Sequence, residues 1–146
     1  MQTFYLLLAF LGGVVLPVQI GLNAMVGRAA NPVWATSVSF LIGTVGVILY
    51  LLALNQPWPA MATVAALPPY VWLAGLLGAV YVTITIVVAP QIGGALLVSL
   101  VVAGQMLAAL ILDHYGALGF PQHGLSWPRV VGALLVVAGV ILIRRF

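Results

Sequence analysis

The chain has 146 residues, of which 65% are hydrophobic and only 3% are charged, and its mean hydropathy is +1.31. So few charged side chains cannot give a soluble domain a surface that faces water, and the composition therefore excludes that class. The net charge of +3 comes from four arginines against one aspartate, which is too sparse for a nucleic-acid-binding patch. Because the chain has no cysteine, disulfides, thiolate metal sites and cysteine nucleophiles are excluded as well.

Five long apolar stretches follow one another along the chain. In chain order, the predicted spans are Thr3–Leu22, Val33–Leu54, Val71–Ala89, Gly94–Leu112 and Val130–Ile143. Backbone groups in lipid must bond within their own segment, and these stretches lack the alternation of barrel strands, so we predict helices. The sequence therefore predicts an all-α membrane protein, a five-transmembrane-helix bundle that forms a single integral membrane domain over 1–146.

Polar side chains within the first span lie on one helical face. Gly12, Leu16, Gln19 and Asn23 follow one another at intervals of four, three and four residues, as positions on one face of a helix do. Pro17 interrupts the backbone hydrogen bonds beside them and predicts a bend. The amides of Gln19 and Asn23 either line a cavity or bond neighbouring helices, and the spacing alone leaves both uses open.

Other polar residues in the spans are candidates for the same cavity. Ser39 shares a stripe of the second span with Gly43 and Gly46, glycines that we expect to let helices approach closely. Tyr81 lies near the middle of the third span, where its hydroxyl must find a protein or substrate partner. Gln105, in the middle of the fourth span, is a further amide that could line a cavity. The predicted substrate-binding residues are therefore Gln19, Asn23, Ser39, Tyr81 and Gln105.

The one acidic residue of the chain lies at the end of a predicted span. Asp113 is followed by His114, and we interpret the two as a solvated loop pair that attracts Arg129, rather than as a proton-coupling site. No span carries the titratable groups that a catalytic site requires, and His123 in a Gly/Pro-rich loop is only a weak candidate for a metal ligand. We therefore predict that the protein is not an enzyme and has neither a metal nor a cofactor.

The arginines indicate how the chain crosses the membrane. Arg28 and the Arg144-Arg145 tail fall on one side of a five-span topology, and Arg129 falls on the other. Because positively charged loops stay in the cytoplasm, three arginines against one favour a cytoplasmic C-terminus and an N-terminus outside. The excess is small, so insertion in both orientations stays open.

Several stretches of the sequence are typical of one family of membrane proteins. They are Gln19-Ile20-Gly21-Leu22-Asn23-Ala24, Ser39-Phe40-Leu41-Ile42-Gly43-Thr44, Gly104-Gln105 and Leu112-Asp113-His114-Tyr115-Gly116. With them the chain resembles the YdcZ-like inner-membrane exporters of the drug/metabolite transporter (DMT) superfamily, and the resemblance covers essentially the whole chain. The Asp113-His114 element after a Gly-Gln helix is its most specific part, whereas the small-residue stripes are generic.

The resemblance implies a multi-pass protein of the bacterial inner (cytoplasmic) membrane and a half-size DMT-like transporter. It implies a homodimer in which two copies enclose one site and export a small metabolite or drug-like molecule by alternating access. If one chain inserts both ways, that homodimer is antiparallel. The small multidrug-resistance relatives use a glutamate in the first helix, whereas Gln19 and Asn23 cannot titrate, which puts proton antiport by that route in doubt.

Two other functions stay open at this stage. One is a non-transporting membrane subunit that needs a different partner chain, which predicts no flux and no ligand-induced stabilisation of the purified protein. The other is a passive channel, which predicts downhill flux without saturation or acceleration by counter-substrate. Neutral amides and hydroxyls at the predicted site favour a neutral or zwitterionic ligand, because the spans contain no buried countercharge for a cation.

Overall fold

The computed structural model describes residues 2–146, and within them five helices are long and apolar enough to cross a membrane. The helices are α1 (Gln2–Ala29), α2 (Pro32–Ala53), the short α3 (Met61–Ala65), α4 (Leu73–Ile92), α5 (Gly94–Tyr115) and α6 (Trp127–Arg145). A 3₁₀ turn, Pro69–Trp72, leads directly into α4, and the two together form the third candidate span. The predicted all-α fold with five spanning helices is confirmed.

Several helices extend beyond the apolar runs from which they were predicted. The first helix continues past Leu22 to Ala29, because no residue that breaks a helix follows until Pro32. Asn31 then caps α2, since its Oδ1 accepts a hydrogen bond from the backbone N–H of Trp34 at 2.8 Å. With 28 residues, α1 is about 42 Å long at about 1.5 Å per residue, more than the roughly 30 Å of a bilayer core. The helix is continuous through Pro17, and the predicted bend there stays a prediction.

The chain divides into two compact units, with the boundary between Gln91 and Ile92. The first contains α1 to α4, and its core is formed by Ala35, Val82 and Ile86, with the ring of Tyr81 packed against them. A Cβ atom added at Gly27 of α1 would overlap Cγ2 of Ile86 in α4. The two helices therefore approach closely at Gly27, because glycine has no side chain there. The single domain over 1–146 stays a prediction.

The second unit is an α5–α6 pair whose connecting loop is tied to both helices. The helix α5 ends at Tyr115, and the next residue, Gly116, has a φ of 60°, the left-handed conformation that glycine adopts at low cost. The backbone N–H of His123 then donates to the carbonyl of Asp113 at 2.8 Å, which folds the loop back onto the end of α5. Arg129 donates through Nη1 to the carbonyl of His123 at 3.1 Å, so the start of α6 is held to the same loop.

Most long apolar side chains of the helices are exposed, as expected where lipid is the solvent. The aromatic residues near the ends of the candidate spans are exposed by more than half, namely Trp58, Tyr70, Trp72, Tyr115 and Trp127. Such rings prefer the headgroup level of a bilayer, where an apolar ring and a polar edge are both accommodated.

Candidate functional site

The first unit contains an open groove of about 550 Å³ between α1, α2 and α4. Its lining residues are Gln19, Ser39, Phe40, Gly43, Thr44, Val47, Ile48, Gly78, Tyr81 and Val82. The α2 residues of this set recur every three or four positions, which keeps them on one face of the helix. Three of the five predicted site residues, Gln19, Ser39 and Tyr81, thus line one groove from three helices.

Glycines shape the wall of this groove. A Cβ added at Gly78 would lie 3.2 Å from Cζ of Phe40, so the Phe40 ring of α2 rests against the α4 backbone. A Cβ added at Gly43 would meet no other atom within 4 Å, because that position faces the open groove. Gly46 likewise has no neighbour within 4 Å, so the close helix approach that we expected at Gly43 and Gly46 is not found within residues 2–146. The close approaches are at Gly27 and Gly78 instead.

The hydroxyl of Tyr81 is a polar atom without a partner. Its Oη is buried, and within residues 2–146 no hydrogen-bond donor or acceptor reaches it. Tyr81 lies near the middle of α4, so in a bilayer its depth is far from the headgroups and their water. A buried polar group that forms no hydrogen bond loses its hydration without compensation, and such groups are rare in native structures.

The serine and threonine hydroxyls of α2, α4 and α5 separate into two sets. Five of them bond back to a carbonyl of their own helix at 2.8–3.0 Å, namely those of Thr36, Ser37, Thr83, Thr85 and Ser99. This back-bonding is the usual way for serine and threonine to be satisfied in a membrane helix. Ser39 and Thr44, which line the groove, make no such bond within residues 2–146. Two of the hydroxyls that line the groove therefore have no bond to a carbonyl of their own helix.

Thr36 and Thr83 form a polar contact in which both hydroxyl groups have hydrogen-bond partners. Their hydroxyl oxygens lie 2.8 Å apart across α2 and α4, and each also lies within 3.0 Å of a carbonyl of its own helix. Each hydroxyl has one proton, so at any moment one threonine donates to the other and the second donates to its carbonyl. This contact holds the two helices together beside the groove and leaves neither oxygen without a partner.

The two remaining predicted site residues do not line the groove. Asn23 is half-buried on α1, one turn beyond Gln19, and Gln105 is exposed on α5 in the second unit. Thr44 is a groove residue that the sequence reasoning missed. It lies five residues after Ser39, about 140° around the helix, so the polar face that contains Ser39 does not include it, and no signal in the sequence singles it out.

Formal charges are absent from the groove. The only charged residue of the first unit is Arg28, nine residues after Gln19 on α1 and thus about 13 Å away along the helix axis. The one acidic residue of the chain, Asp113, belongs to the second unit. No group of three or more His, Asp or Glu side chains in residues 2–146 is arranged to hold a metal ion.

Asp113 and Arg129 form an ion pair at the end of the second unit. The Arg129 Nη2 to Asp113 Oδ2 distance is 2.5 Å, and the side chains are 34% and 18% exposed for Arg129 and Asp113, respectively. The attraction that the sequence predicted between them is therefore present, but the interpretation of Asp113 and His114 as a solvated loop pair is wrong, because both lie in the last turn of α5 and Asp113 is mostly buried. His114 adds a second tie, because its Nδ1 accepts from the backbone N–H of Leu125 at 3.3 Å. Together these bonds fasten the loop to α5 and α6, which is a structural role.

Comparison with known proteins places the chain in a family of inner-membrane proteins. A family model described as "Putative inner membrane exporter, YdcZ" matches residues 4–142. The chain is also similar to the protein "Inner membrane protein YdcZ" of Escherichia coli (strain K12), with 34% identity over 73 residues. That alignment covers 50% of this chain and 48% of the relative, about half of each. No solved structure matches the chain. Because the family model covers nearly the whole chain, the protein belongs to the YdcZ family of the drug/metabolite transporter superfamily, a multi-pass inner-membrane family described as exporters.

Proposed function

We propose that this chain is a secondary transporter that exports a small metabolite or drug-like molecule, by alternating access as a homodimer. The single observation that carries the proposal is the groove in which Gln19, Ser39 and Tyr81 meet from three helices. Polar groups are costly in a membrane interior, so several unsatisfied ones around one concave surface are typical of a substrate pathway. Membership of a family described as exporters supports the direction of transport.

The homodimer is supported by the openness of the groove. Its walls come from α1, α2 and α4 of the first unit, and it is open on one side. A transporter must isolate its substrate from both sides of the membrane in turn, which requires further walls. A second copy of the chain would supply them, and an antiparallel copy would make the two access states equivalent. A cytoplasmic C-terminus stays the orientation that the arginines favour.

Asn23 and Gln105 remain proposed substrate-binding residues without a place in this groove. Asn23 follows Gln19 by one turn on the same helix, so it extends the polar face of α1 toward Arg28. We expect Gln19→Leu and Asn23→Leu to lose transport while the protein still folds and dimerises. Wild-type flux in both variants would contradict the assignment of α1 to the pathway.

Blocking the groove tests the proposal directly. Gly43→Leu places a side chain into open space at the wall of the groove, so it should abolish transport while the helices keep their packing. Gly46→Leu is the matched control, because it adds the same bulk to open space on α2 at a position that does not line the groove. Equal loss of activity in both variants would mean that bulk on α2, and not occlusion of the groove, is responsible.

The assay uses purified protein reconstituted into liposomes, with radiolabelled compounds chosen by a thermal-stabilisation screen. Saturable flux that accelerates when unlabelled compound is present on the opposite side is the expected result, because it requires alternating access. Linear flux without saturation would indicate a passive channel. Neither stabilisation nor flux would indicate a subunit that needs a different partner chain.

Labelling of single cysteines tests the arrangement of the dimer. The chain has no native cysteine, so Gln2→Cys and Phe146→Cys can each be labelled in intact cells with a membrane-impermeant maleimide. Labelling of each terminus in about half of the molecules would support insertion in both orientations and an antiparallel homodimer. If only the N-terminus is labelled, the orientation is fixed, and the antiparallel homodimer is wrong.

A further inference from the structure

We infer that the groove of the first unit binds an uncharged molecule with an apolar body and a group that both donates and accepts hydrogen bonds, and that this group pairs with Oη of Tyr81. The inference rests on the proposed function, because it names the chemical class of the molecule that the transporter moves. It is carried by the unpartnered Oη and by the groove hydroxyls that do not bond back to their own helix.

The ligand must carry a polar group because Tyr81 lies deep in the membrane. A lipid tail could fill an apolar groove, but it offers no hydrogen-bonding group near the bilayer centre, because lipid ester groups lie about 15 Å away at the edge of the core. Oη is covered by protein atoms, so this pairing requires the Tyr81 ring to turn toward the groove. That movement is favoured because it replaces an unpaired hydroxyl by a bonded one.

The requirement for a neutral ligand follows from the placement of charge. The groove is lined by one amide, three hydroxyl groups and apolar or glycine residues, and it has no side chain with a formal charge. A cation taken from water into this environment would lose its hydration without a carboxylate to balance it, which is costly in a medium of low dielectric constant. An anion would have only Arg28, about 13 Å away along α1.

The ligand must both donate and accept hydrogen bonds, because the unpaired groups of the groove are hydroxyls and an amide. A phenolic or aliphatic hydroxyl can either donate or accept, and the amide of Gln19 does both at once. Ser39 and Thr44 line the groove from α2, and Gln19 lines it from α1. A ligand amide or hydroxyl is complementary to all of them, whereas the ring of Phe40, resting on Gly78, provides an apolar surface for the ligand body.

Three matched probes separate these requirements. They are 4-phenylbutyramide, which is neutral and polar, 4-phenylbutylamine, which is a cation at neutral pH, and butylbenzene, which has no polar group. Binding of each is measured as the stabilisation of the purified protein against heat over a concentration series, for the wild type and for Tyr81→Phe. Because partition of a probe into the micelle is the same for both proteins, their difference reports the contact with Oη.

We expect the amide to bind Tyr81→Phe about fivefold more weakly than the wild type, the loss that one net hydrogen bond of about 1 kcal/mol represents. Butylbenzene should bind both proteins equally, and the amine should bind the wild type more weakly than the amide does. Ser39→Ala provides a second test of the polar wall, and Tyr50→Phe is the control, since Tyr50 is 65% exposed and does not line the groove.

Three results would overturn the inference while leaving the proposed transporter intact. If the amine binds as tightly as the amide, the groove accepts cations. If the amide shows the same affinity for the wild type and Tyr81→Phe, the unpaired hydroxyl is not the ligand contact. A weaker dimer in Tyr81→Phe would show that Oη pairs with a second copy of the chain, which also refutes the inference. Failure of the proposed function differs from all of these, because it is the absence of saturable flux in liposomes for any compound.

Discussion

Replacing Tyr81 by phenylalanine should affect folding and binding in opposite directions. The substitution Tyr81→Phe removes Oη and leaves the ring, which packs against the core residues Ala35, Val82 and Ile86. Because Oη is buried without a partner within residues 2–146, the ligand-free wild type bears the desolvation of a hydroxyl and gains no bond for it. Desolvation of such a group costs about 1–3 kcal/mol, so we expect the variant to be more stable than the wild type by about 1 kcal/mol.

The measurement is the free energy of unfolding of ligand-free protein in mixed micelles, titrated with sodium dodecyl sulfate and followed by circular dichroism. Tyr50→Phe is the matched control, because Tyr50 is 65% exposed, and its variant should stay within about 0.5 kcal/mol of the wild type. A loss of about 1 kcal/mol in Tyr81→Phe would refute the reasoning, because it would mean that Oη forms a hydrogen bond in the folded protein. A gain in stability together with weaker amide binding is the combination that a purely structural hydroxyl cannot produce.

Three further predictions concern the contacts that position the groove and the loop. Gly27→Ala should destabilise the protein by about 1–3 kcal/mol in the same titration, because its Cβ would overlap a core side chain. A double-mutant cycle of Thr36→Val and Thr83→Val should give a coupling energy of about 0.6 kcal/mol, the average for hydrogen bonds between membrane helices. Arg129→Gln should cost about 1–3 kcal/mol, because it leaves the mostly buried carboxylate of Asp113 without its partner, and adding Asp113→Asn should recover part of that loss.

Each of these predictions has an outcome that would contradict it, and the first also has a control variant. Gly13→Ala adds a methyl group in open space on the same helix as Gly27, so it should gain helix propensity of up to about 1 kcal/mol. Equal effects at the two glycines would contradict close packing at Gly27. A coupling energy of zero would contradict the threonine bond between α2 and α4. If Arg129→Gln changes nothing, the ion pair is a solvent-screened surface contact.

The number and type of the spanning helices could be predicted because they depend on composition and length alone. A stretch of apolar residues has no stable alternative to a helix in lipid, so each apolar run became a helix. The helix ends could not be predicted equally well, because they depend on single local bonds. Asn31 and Pro32 set the start of α2, and Gly116 sets the end of α5 through its left-handed conformation. Polar residues such as Asn23 continue α1 beyond the run that predicted it.

Part of the candidate groove could be predicted because helical spacing places residues on faces. Gln19 was found from the polar face of α1, and Tyr81 from its depth in the span, and both line the groove. Which helix faces another does not follow from spacing. We therefore expected close packing at Gly43 and Gly46, whereas the tight contacts are at Gly27 and Gly78.

Which hydroxyl groups form hydrogen bonds could not be predicted from the sequence. Thr36 and Thr44 are both threonines of α2 within apolar surroundings, and the sequence gives no reason to treat them differently. In the structure the hydroxyl of Thr36 lies within hydrogen-bonding distance of a carbonyl and of Thr83, whereas Thr44 faces the groove. That difference depends on which rotamer the neighbouring helices permit, and so on packing between segments that are distant in the chain.

The distribution of charge and of unsatisfied polar groups suggests how such a small membrane protein can be selective. The charged residues lie in the last turns of α1 and α6 or near the ends of α5 and α6, so the charge falls near helix ends and the groove stays neutral. A neutral ligand can enter such a groove without the desolvation penalty of an ion. The apolar body of the ligand, however, would not distinguish it from a lipid tail. Discrimination must then come from hydrogen bonds that lipid tails cannot form. In the proposed transporter, unpaired hydroxyls in the groove cost some stability and provide a ligand preference at a depth where no competing water or lipid headgroup is present.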